Sequence, residues 1–384
     1  MKLFLAFLAL GAVAAPPKDG PYLTWLADTF IQNGVKSDLL GYQPATLYMG
    51  FEKAYELKRD EKYLRWLRGQ IDGKVVQQDG TIKGWKDGVY SLDEYRMANI
   101  YLYLYGQTGE EKYKSAADIV RNHINSHPRT PSGGFWHRKP QFANQMWLDG
   151  IFMADSFYAR WTGLFDKDNA TAWDDILLQY TLLNNHTLDL ESGLMVHGWA
   201  EITDKAPWAD PATGRAPHVW GRAVGWYFMS LIETLQVFPK FHPGYVKLMH
   251  IYTGLASALK KAQDPKSHGW WQVMDAPYPG KKGNYIESSA SAMFTFGLLK
   301  GVKLGYLKES EFLQTAKNAY RGLVHEFVRP GKNGTLSFTG TVAECGLASS
   351  NYYTSVRTTS NDYKGSGPFM IASYEWETWA KEAR

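Results

Sequence analysis

Segments with a helical spacing of apolar residues follow one another along most of this chain, and they alternate between two kinds. One kind is apolar around most of its circumference, whereas the other is amphipathic and carries charges along one side. The apolar segments are residues 91–104, 144–161, 220–237, 286–302 and 367–380, and the amphipathic ones include 110–124, 169–187 and 309–327. About twelve helices that alternate in this way predict an all-α fold, an (α/α)6 barrel of six helix hairpins with inner helices wrapped by outer ones.

The composition fits one large domain with a cleft for a flat, hydroxyl-rich ligand. The chain has 384 residues, of which 45% are hydrophobic and 21% charged, so it can bury a sizeable core. Aromatic residues make up 15% of the chain, with 15 Trp and 24 Tyr, and such residues stack on sugar rings. We therefore predict that residues 16–384 form a single catalytic barrel domain.

The first 15 residues have the pattern of a signal peptide. Lys2 supplies the basic start, residues 3–10 are mostly apolar, and Ala12 and Ala14 form a small-residue cleavage site. Because this apolar run is too short to span a bilayer, we expect a secreted, extracellular protein with no membrane partner. Acceptor sequons for glycosylation begin at Asn169, Asn185 and Asn333. Cys345 is the only cysteine, which excludes an intramolecular disulfide.

Charge and motif content exclude several classes of function. The formal net charge of +4 is spread without a basic run, which disfavours nucleic acid as a partner. The chain lacks HExxH and paired cysteines, and residues 166–175 lack the Gly and final Glu of a calcium loop, so no metal site is expected. It also lacks a P-loop and a GxSxG motif, and we predict a reaction without cofactors. The oligomeric state is left open.

Asp149 is the first candidate for a catalytic group. It lies near the start of the apolar segment 144–161, NQMWLDGIFMADSFYARW, which the pattern predicts to be one helix. A carboxylate there costs several kcal/mol unless it is paired, hydrated or used in chemistry. It could instead cap a neighbouring helix or pair with an arginine. Trp147 favours the catalytic interpretation, because an aromatic ring beside a desolvated carboxyl can hold a pyranose and raise the pKa of an acid.

Asp93 occupies the equivalent place in the preceding apolar segment, SLDEYRMANIY. Ser91 and Glu94 have the spacing of a capping box, so Asp93 could simply belong to a helix start. The long loops precede the apolar helices, which predicts that the N-terminal ends of the inner helices face one mouth of the barrel. Asp93, Asp149, Arg222 and Glu287 would all lie at this mouth. Two carboxylates facing each other across a cleft is the arrangement that glycosidic chemistry needs.

Arg222 and His197 are candidate substrate contacts. Arg222 lies in HVWGRAVGWYF between Trp220 and Trp226, and its planar fork suits a carboxylate, although it could also be a core arginine that pairs with Asp149. His197 precedes Trp199 in the long loop 191–217, where a histidine could equally be solvated.

The segments NQMWLDGIFMA, HGW, WGRAVGWY and DYKGSGPFMIAS resemble glycoside hydrolase family 105, the unsaturated rhamnogalacturonyl hydrolases, and more distantly family 88. The resemblance covers most of the mature chain and implies the (α/α)6 barrel. It also implies an enzyme that removes a 4,5-unsaturated uronic acid from the non-reducing end of oligosaccharides made by polysaccharide lyases. Such enzymes hydrate the C4=C5 double bond, and the resulting hemiketal collapses and frees the next sugar.

The same resemblance assigns roles to the candidate residues. Asp149 would be proton donor and base, and Asp93 its partner carboxylate. The substrate would contact His197, Arg222, Trp226, Trp147 and Trp220. A proton donor must stay protonated near working pH, so we expect a second carboxylate or an apolar wall to raise its pKa.

Three alternatives stay open at this point. The protein could be a conventional inverting glycosidase or a polysaccharide lyase on the same barrel, or a non-catalytic carbohydrate-binding protein. The sequence also leaves open whether the unsaturated sugar is derived from galacturonic or glucuronic acid, and which sugar follows it.

Overall fold

A computed structural model describes residues 20–35, 40–348 and 350–382 of the chain. The signal peptide predicted over residues 1–15 lies outside this part. The helices are α1 (Tyr22–Asn33), α2 (Tyr42–Lys58), α3 (Glu61–Ile71), α4 (Leu92–Tyr95), α5 (Ala98–Thr108), α6 (Glu111–Asn125), α7 (Leu148–Gly150), α8 (Ser156–Phe165), α9 (Ala170–Thr187), α10 (Gly221–Leu235), α11 (Gly244–Ala262), α12 (Ser288–Lys303), α13 (Glu309–Phe327), α14 (Ser350–Ser355) and α15 (Tyr363–Glu382).

Six inner helical elements form a closed ring. In chain order they are α2, α4 with α5, α7 with α8, α10, α12 and α15, and each contacts the next around the ring, with α15 returning to α2. The outer layer consists of α1, α3, α6, α9, α11 and α13. This alternation confirms the predicted all-α (α/α)6 barrel. It follows from burial, because α10 and α12 are buried along nearly their whole length while α3 and α13 bury only one face.

Small residues let the inner helices approach closely. A Cβ atom built on Gly225 of α10 would lie 2.6 Å from the sulfur of Met293 on α12, and one on Gly367 of α15 would lie 2.0 Å from the carbonyl oxygen of Thr46 on α2. Both distances are shorter than van der Waals contact. Glycine at these two positions therefore sets the diameter of the ring.

Short antiparallel strand pairs connect the helices at one mouth. Strand β1 (Gln145–Trp147) pairs with β2 (Gly198–Ala200), β3 (Val328–Pro330) with β4 (Leu336–Phe338), and β5 (Thr341–Val342) with β6 (Thr358–Thr359). Short 3-10 turns cover Thr203–Lys205 and Lys332–Gly334.

The prediction of one helix over residues 144–161 is wrong at its start. Gln145–Trp147 form strand β1, and the helix begins only at Leu148. The backbone N–H of Leu148 donates to the carbonyl oxygen of His197 at 3.0 Å. The helix then passes through a π-helical segment (Ile151–Asp155) and continues to Phe165. Pairing with a strand 50 residues away overrides the local helical pattern.

Two further predictions about helix starts need correction. Ser91 does precede α4, but its hydroxyl does not cap the helix; it accepts instead from Arg138 Nε at 3.2 Å, so no capping box forms. The last inner helix starts at Tyr363, four residues before the predicted start.

The three sequons lie in different settings. Asn169 caps α9, where its side chain accepts from the Ala172 backbone at 3.1 Å, whereas Asn185 is exposed on α9 and Asn333 is exposed in a turn. Glycosylation at these residues stays a prediction. Among the described helices, none combines the length and apolarity that crossing a bilayer would require.

Candidate active site

Asp149 lies in the first turn of α7, at the mouth where the inner helices begin. Its side chain is 13% exposed, and its Oδ2 lies 3.0 Å from Nε2 of the fully buried His197. The β1–β2 pairing creates this contact, because Trp147 is in register with Gly198 and the flanking residues Leu148 and His197 are hydrogen-bonded. Among the described residues, the partner of Asp149 is His197, rather than an arginine or the start of a neighbouring helix.

Tyr353, in α14, completes a three-residue chain. Its hydroxyl lies 2.7 Å from His197 Nδ1. A carboxylate can only accept, so we assign the proton of His197 to Nε2, which donates to Asp149, while Nδ1 accepts from the Tyr353 hydroxyl. Sequence reasoning missed Tyr353, because it lies 156 residues from His197 and no motif marks it.

The pKa of Asp149 is lowered from its usual value. Burial acts to raise this pKa, but the charge interaction and hydrogen bond with His197 outweigh it. The expectation that an apolar wall or a second carboxylate holds Asp149 protonated is therefore wrong for the unliganded protein, in which Asp149 is a carboxylate.

Asp93 lies on the adjacent inner element, at the start of α4. Its Oδ2 accepts from Arg138 at 2.5 Å, and its Oδ1 lies 3.5 Å from His137 Nε2. The His137 ring stacks on Trp147 with centroids 4.3 Å apart. Both carboxylates, Asp93 and Asp149, interact electrostatically with this histidine, whose pKa burial lowers. The structure thus brings the two predicted acids to one site, with His137 and Arg138 as partners that the sequence analysis missed.

Arg222 does not present the free fork that the sequence predicted. Its guanidinium is buried, and it donates to Ser289 Oγ at 2.8 Å, to the Ala343 carbonyl at 2.8 Å and to the Val342 carbonyl. Its acidic neighbour is Glu287, at 3.6 Å, rather than Asp149. Each guanidinium nitrogen already has a protein acceptor, so Arg222 holds the segment around β5 against the barrel.

The tryptophans fall into two groups. Trp147 and Trp220 lie beside the three-residue chain Asp149–His197–Tyr353. The centroid of the Trp220 ring lies 4.7 Å from that of His197, and the ring stacks on Tyr353 with centroids 5.9 Å apart. Trp226 is buried deeper, stacked on Phe152 at 4.5 Å and meeting the edge of Tyr42 at 6.2 Å. In the unliganded protein Trp226 therefore supports Tyr42 and exposes almost none of its own ring.

A cleft of about 630 Å³ opens beside Asp93. Its walls carry the basic side chains Lys83 and Arg138, the hydroxyl groups of Tyr42 and Ser91, and the carboxylate of Glu344. Such a mixture of an aromatic ring, cations and hydrogen-bonding groups suits an acidic sugar. Among the residues that the structure describes, no group of three or more His, Cys, Asp or Glu is arranged to hold a metal ion.

Comparison with known proteins gives consistent matches. The family model for Glycosyl Hydrolase Family 88 matches residues 26–380. The solved structure of a family 105 glycoside hydrolase from C. acetobutylicum ATCC 824 is similar to this chain. The two are 38% identical and superpose with a TM-score of 0.88, over 93% of this chain and 99% of that one.

Two more distant relatives carry functional names. The unsaturated rhamnogalacturonyl hydrolase YesR of Bacillus subtilis is 24% identical over 74% of this chain and 78% of its own length. An unsaturated glucuronyl hydrolase from Bacillus sp. GL1 shares the fold at 13% identity, with a TM-score of 0.67 over 93% of this chain and 95% of that one.

The barrel, the paired acids at one mouth and these matches agree with one another. The chain belongs to glycoside hydrolase family 105, a relative of Glycosyl Hydrolase Family 88, and is a glycoside hydrolase.

Proposed function

We propose that this enzyme removes a 4,5-unsaturated uronic acid from the non-reducing end of oligosaccharides released by polysaccharide lyases. The observation that carries the proposal is the chain Asp149–His197–Tyr353 beside Trp147. The neighbouring cleft carries the cations Lys83 and Arg138 among the carboxylates of Asp93, Glu94 and Glu344. The names of the B. subtilis and Bacillus sp. GL1 relatives support this class of substrate.

Hydration of the vinyl-ether bond needs one proton at C4 and one water at C5. Asp149 is a carboxylate in the free enzyme, but an anionic uronate bound beside it would raise its pKa and favour its protonation. The protonated Asp149 then gives its proton to C4, and positive charge develops at C5 and the ring oxygen. Water adds at C5 and returns a proton to Asp149, which restores the protonated form of the complex. The hemiketal then collapses with cleavage of the bond between C1 and the glycosidic oxygen, which frees the next sugar. Asp149 loses its extra proton to solvent when the anionic product leaves.

The neighbouring groups bind and orient the substrate in this proposal. His197 holds the reacting carboxyl in place through its Nε2–H, and Trp147 provides a ring for the sugar face. Because the Arg222 fork is occupied, the substrate carboxylate would be bound by Arg138 and Lys83 in the cleft. Asp93 orients Arg138 through the 2.5 Å hydrogen bond.

The test uses the ultraviolet absorbance of the unsaturated uronide. The enzyme should destroy this absorbance when given lyase-derived oligosaccharides, and in heavy-oxygen water the label should enter at C5 of the released keto-uronate. Appearance of absorbance from an intact uronide would identify a lyase. Label at the anomeric carbon of a saturated product would identify a conventional glycosidase. Comparing unsaturated galacturonyl-rhamnose with unsaturated glucuronyl-galactose substrates would decide which sugar is preferred.

We further propose that the protein is secreted. The basic start, apolar run and small-residue site within residues 1–15 support this. Expression in a secreting host should place the enzyme in the medium with the first residues removed, as N-terminal sequencing would detect. Retention inside the cell with an intact N-terminus would contradict the proposal.

A further inference from the structure

A second cavity lies at the opposite end of the barrel axis from the candidate active site. It measures about 250 Å³, and residues from the middle and the C-terminal parts of the inner helical elements line it. The active site lies at the N-terminal ends of the same helices, at Asp149 and Asp93. No residue of this second cavity belongs to the site already described.

Three ion pairs line part of the cavity wall. Arg96 donates to both carboxylate oxygens of Glu233, at 2.8 and 3.0 Å. Lys300 lies 3.0 Å from the buried Glu375, and Lys53 lies 2.7 Å from Glu56. With Arg160 and Glu52, the wall carries as many basic as acidic side chains. It therefore offers both hydrogen-bond donors and acceptors without a large net charge.

Five buried polar atoms in this wall have no hydrogen-bond partner among the described residues. They are Oε1 of Glu52, Nδ2 of Asn99, Nε of Arg96 and both carboxylate oxygens of Glu375, and each of these side chains is more than nine-tenths buried. Arg96 and Glu375 have ion-pair partners, so Glu52 and Asn99 are the two groups that most need a further partner. Burial also raises the pKa of Glu52 to about 7. Folded proteins rarely leave such groups unpaired, because burial removes their hydrogen bonds to water. The Glu52 oxygen is an acceptor and the Asn99 amide a donor, so together they point to a ligand with both functions.

We propose that this cavity binds a neutral, polyhydroxylated molecule of the size of one sugar ring. A hydroxyl group both donates and accepts, so it can satisfy Glu52 and Asn99 together. The apolar side chains in the wall, such as Met49, Phe296 and Ile371, match the C–H surfaces of a pyranose. A cationic ligand is disfavoured. Helix C-termini do attract cations, but four basic side chains, Lys53, Arg96, Arg160 and Lys300, already provide positive charge at this end of the barrel.

An aromatic layer separates the two sites. The Arg96 guanidinium lies 3.7 Å from the centroid of the Phe152 ring, and Phe152 stacks on Trp226, which meets Tyr42 beside the catalytic cleft. The groups that would contact a ligand are therefore different at the two ends. The proposal does not rest on the proposed function, since an inactive enzyme would keep this cavity.

The experiment is a calorimetric titration with D-galactose and L-rhamnose, using the catalytically disabled Asp149→Asn variant so that turnover cannot interfere. One test variant is Val237→Trp, which adds bulk at the cavity rim, where Val237 is 36% exposed. Its control is Val246→Trp, on α11, where the side chain is 70% exposed and does not line the cavity. The second test variant, Glu52→Gln, keeps the shape of the side chain and removes the carboxylate.

We expect at least one sugar to bind, and both test variants to weaken binding about tenfold or more. Glu52→Gln removes the carboxylate acceptor of a hydrogen bond, and the larger ring in Val237→Trp occupies the rim of the cavity. Val246→Trp should bind like its parent. The proposal is overturned if neither sugar binds, or if the variants Val237→Trp and Glu52→Gln bind as tightly as the control, which would place the sugar in the catalytic cleft. Tight binding of methylammonium in place of the sugars would identify a cation site and overturn it as well.

Discussion

At the scale of single residues, the geometry of the candidate active site depends on which atoms of Asp149, His197 and Tyr353 carry a proton. Asp149 accepts from His197, and His197 in turn accepts from Tyr353. As a result, the carboxyl of Asp149, the proposed reacting group, is ionised in the free enzyme and fixed in orientation. An apolar pocket would instead keep the carboxyl protonated by raising its pKa. Here burial also acts to raise the pKa of Asp149, but the interactions with His197 lower it by more.

Replacing Asp149 by Asn should abolish turnover while leaving the fold intact. The amide keeps the size of the side chain but cannot donate and recover a proton, and loss of a general acid or base typically costs about 10²–10⁴-fold in rate. The measurement is kcat on an unsaturated disaccharide, with circular dichroism to check folding. Asp168→Asn, on the exposed surface, is the matched control. A folded Asp149→Asn enzyme within a few-fold of wild type would refute the assignment.

Replacing Tyr353 by Phe tests the three-residue chain. Without the hydroxyl, His197 can adopt the other tautomer, and Asp149 loses its N–H donor. We expect kcat to fall by about tenfold or more, from the loss of a hydrogen bond in the site, with little change in KM. The alkaline limb of the kcat profile should move to higher pH, because the proposed proton donor is protonated Asp149 and His197 lowers its pKa in the wild type. Tyr352→Phe is the neighbouring control. An unchanged pH profile would show that Tyr353 only fills space.

At the scale of elements, the segment that contains β5 is attached to the barrel by buried polar groups. Arg222 on α10 donates to the carbonyls of Val342 and Ala343, and Glu287 before α12 accepts from the Val342 N–H at 2.9 Å. Glu287 also caps α12 by accepting from the Ala290 N–H at 2.7 Å. These contacts position the segment that leads to α14 and hence to Tyr353.

Arg222→Lys should loosen this segment. A lysine has one ammonium group and cannot reach the acceptors that the guanidinium satisfies, so buried carbonyl groups are left without donors at a cost of about 1–3 kcal/mol. We expect a lower Tm and faster amide hydrogen exchange in residues 341–345. Arg329→Lys is the control, since Arg329 also donates to backbone carbonyls but is exposed. Unchanged exchange, with only a raised KM for charged substrates, would restore the role of Arg222 as the uronate contact.

At the scale of the whole molecule, the barrel encloses a buried acid that the reaction does not use. Asp155, in the π-helical segment, is almost fully buried, and neither carboxyl oxygen has a hydrogen-bond partner among the described residues. Burial, and then the charge of Asp175, raise its pKa well above the usual value. A raised carboxyl pKa contributes stability that is present below the unfolded pKa and is lost as pH rises through the folded pKa.

Asp155→Asn should therefore stabilise the protein at neutral pH. The gain should shrink on acidification and vanish below about pH 4, the ordinary pKa of an aspartate, where both forms of the side chain are neutral. The measurement is Tm as a function of pH, with the exposed Asp168→Asn as control. A variant that is less stable than wild type at neutral pH would mean that the Asp155 carboxylate is satisfied in the folded protein.

The sequence by itself determined the architecture and named the two acids, Asp93 and Asp149, of the candidate active site. Helical periodicity and the alternation of apolar with amphipathic segments are local properties, and they predicted the ring of six inner elements. The placement of long loops before the inner helices predicted that Asp93 and Asp149 meet at one mouth. In the structure both carboxylates interact electrostatically with His137, whose ring stacks on Trp147.

The tertiary structure alone decided the partners of these residues. The β1–β2 pairing moved the helix start to Leu148 and brought His197 to Asp149, which lowered a pKa that the apolar surroundings alone would raise. Arg222 found carbonyl acceptors 120 residues away instead of an open cleft, and Tyr353 reached His197 from a segment without any motif. Hydrogen-bond partners and protonation depend on distances between remote segments, and periodicity along the chain contains no information about those distances.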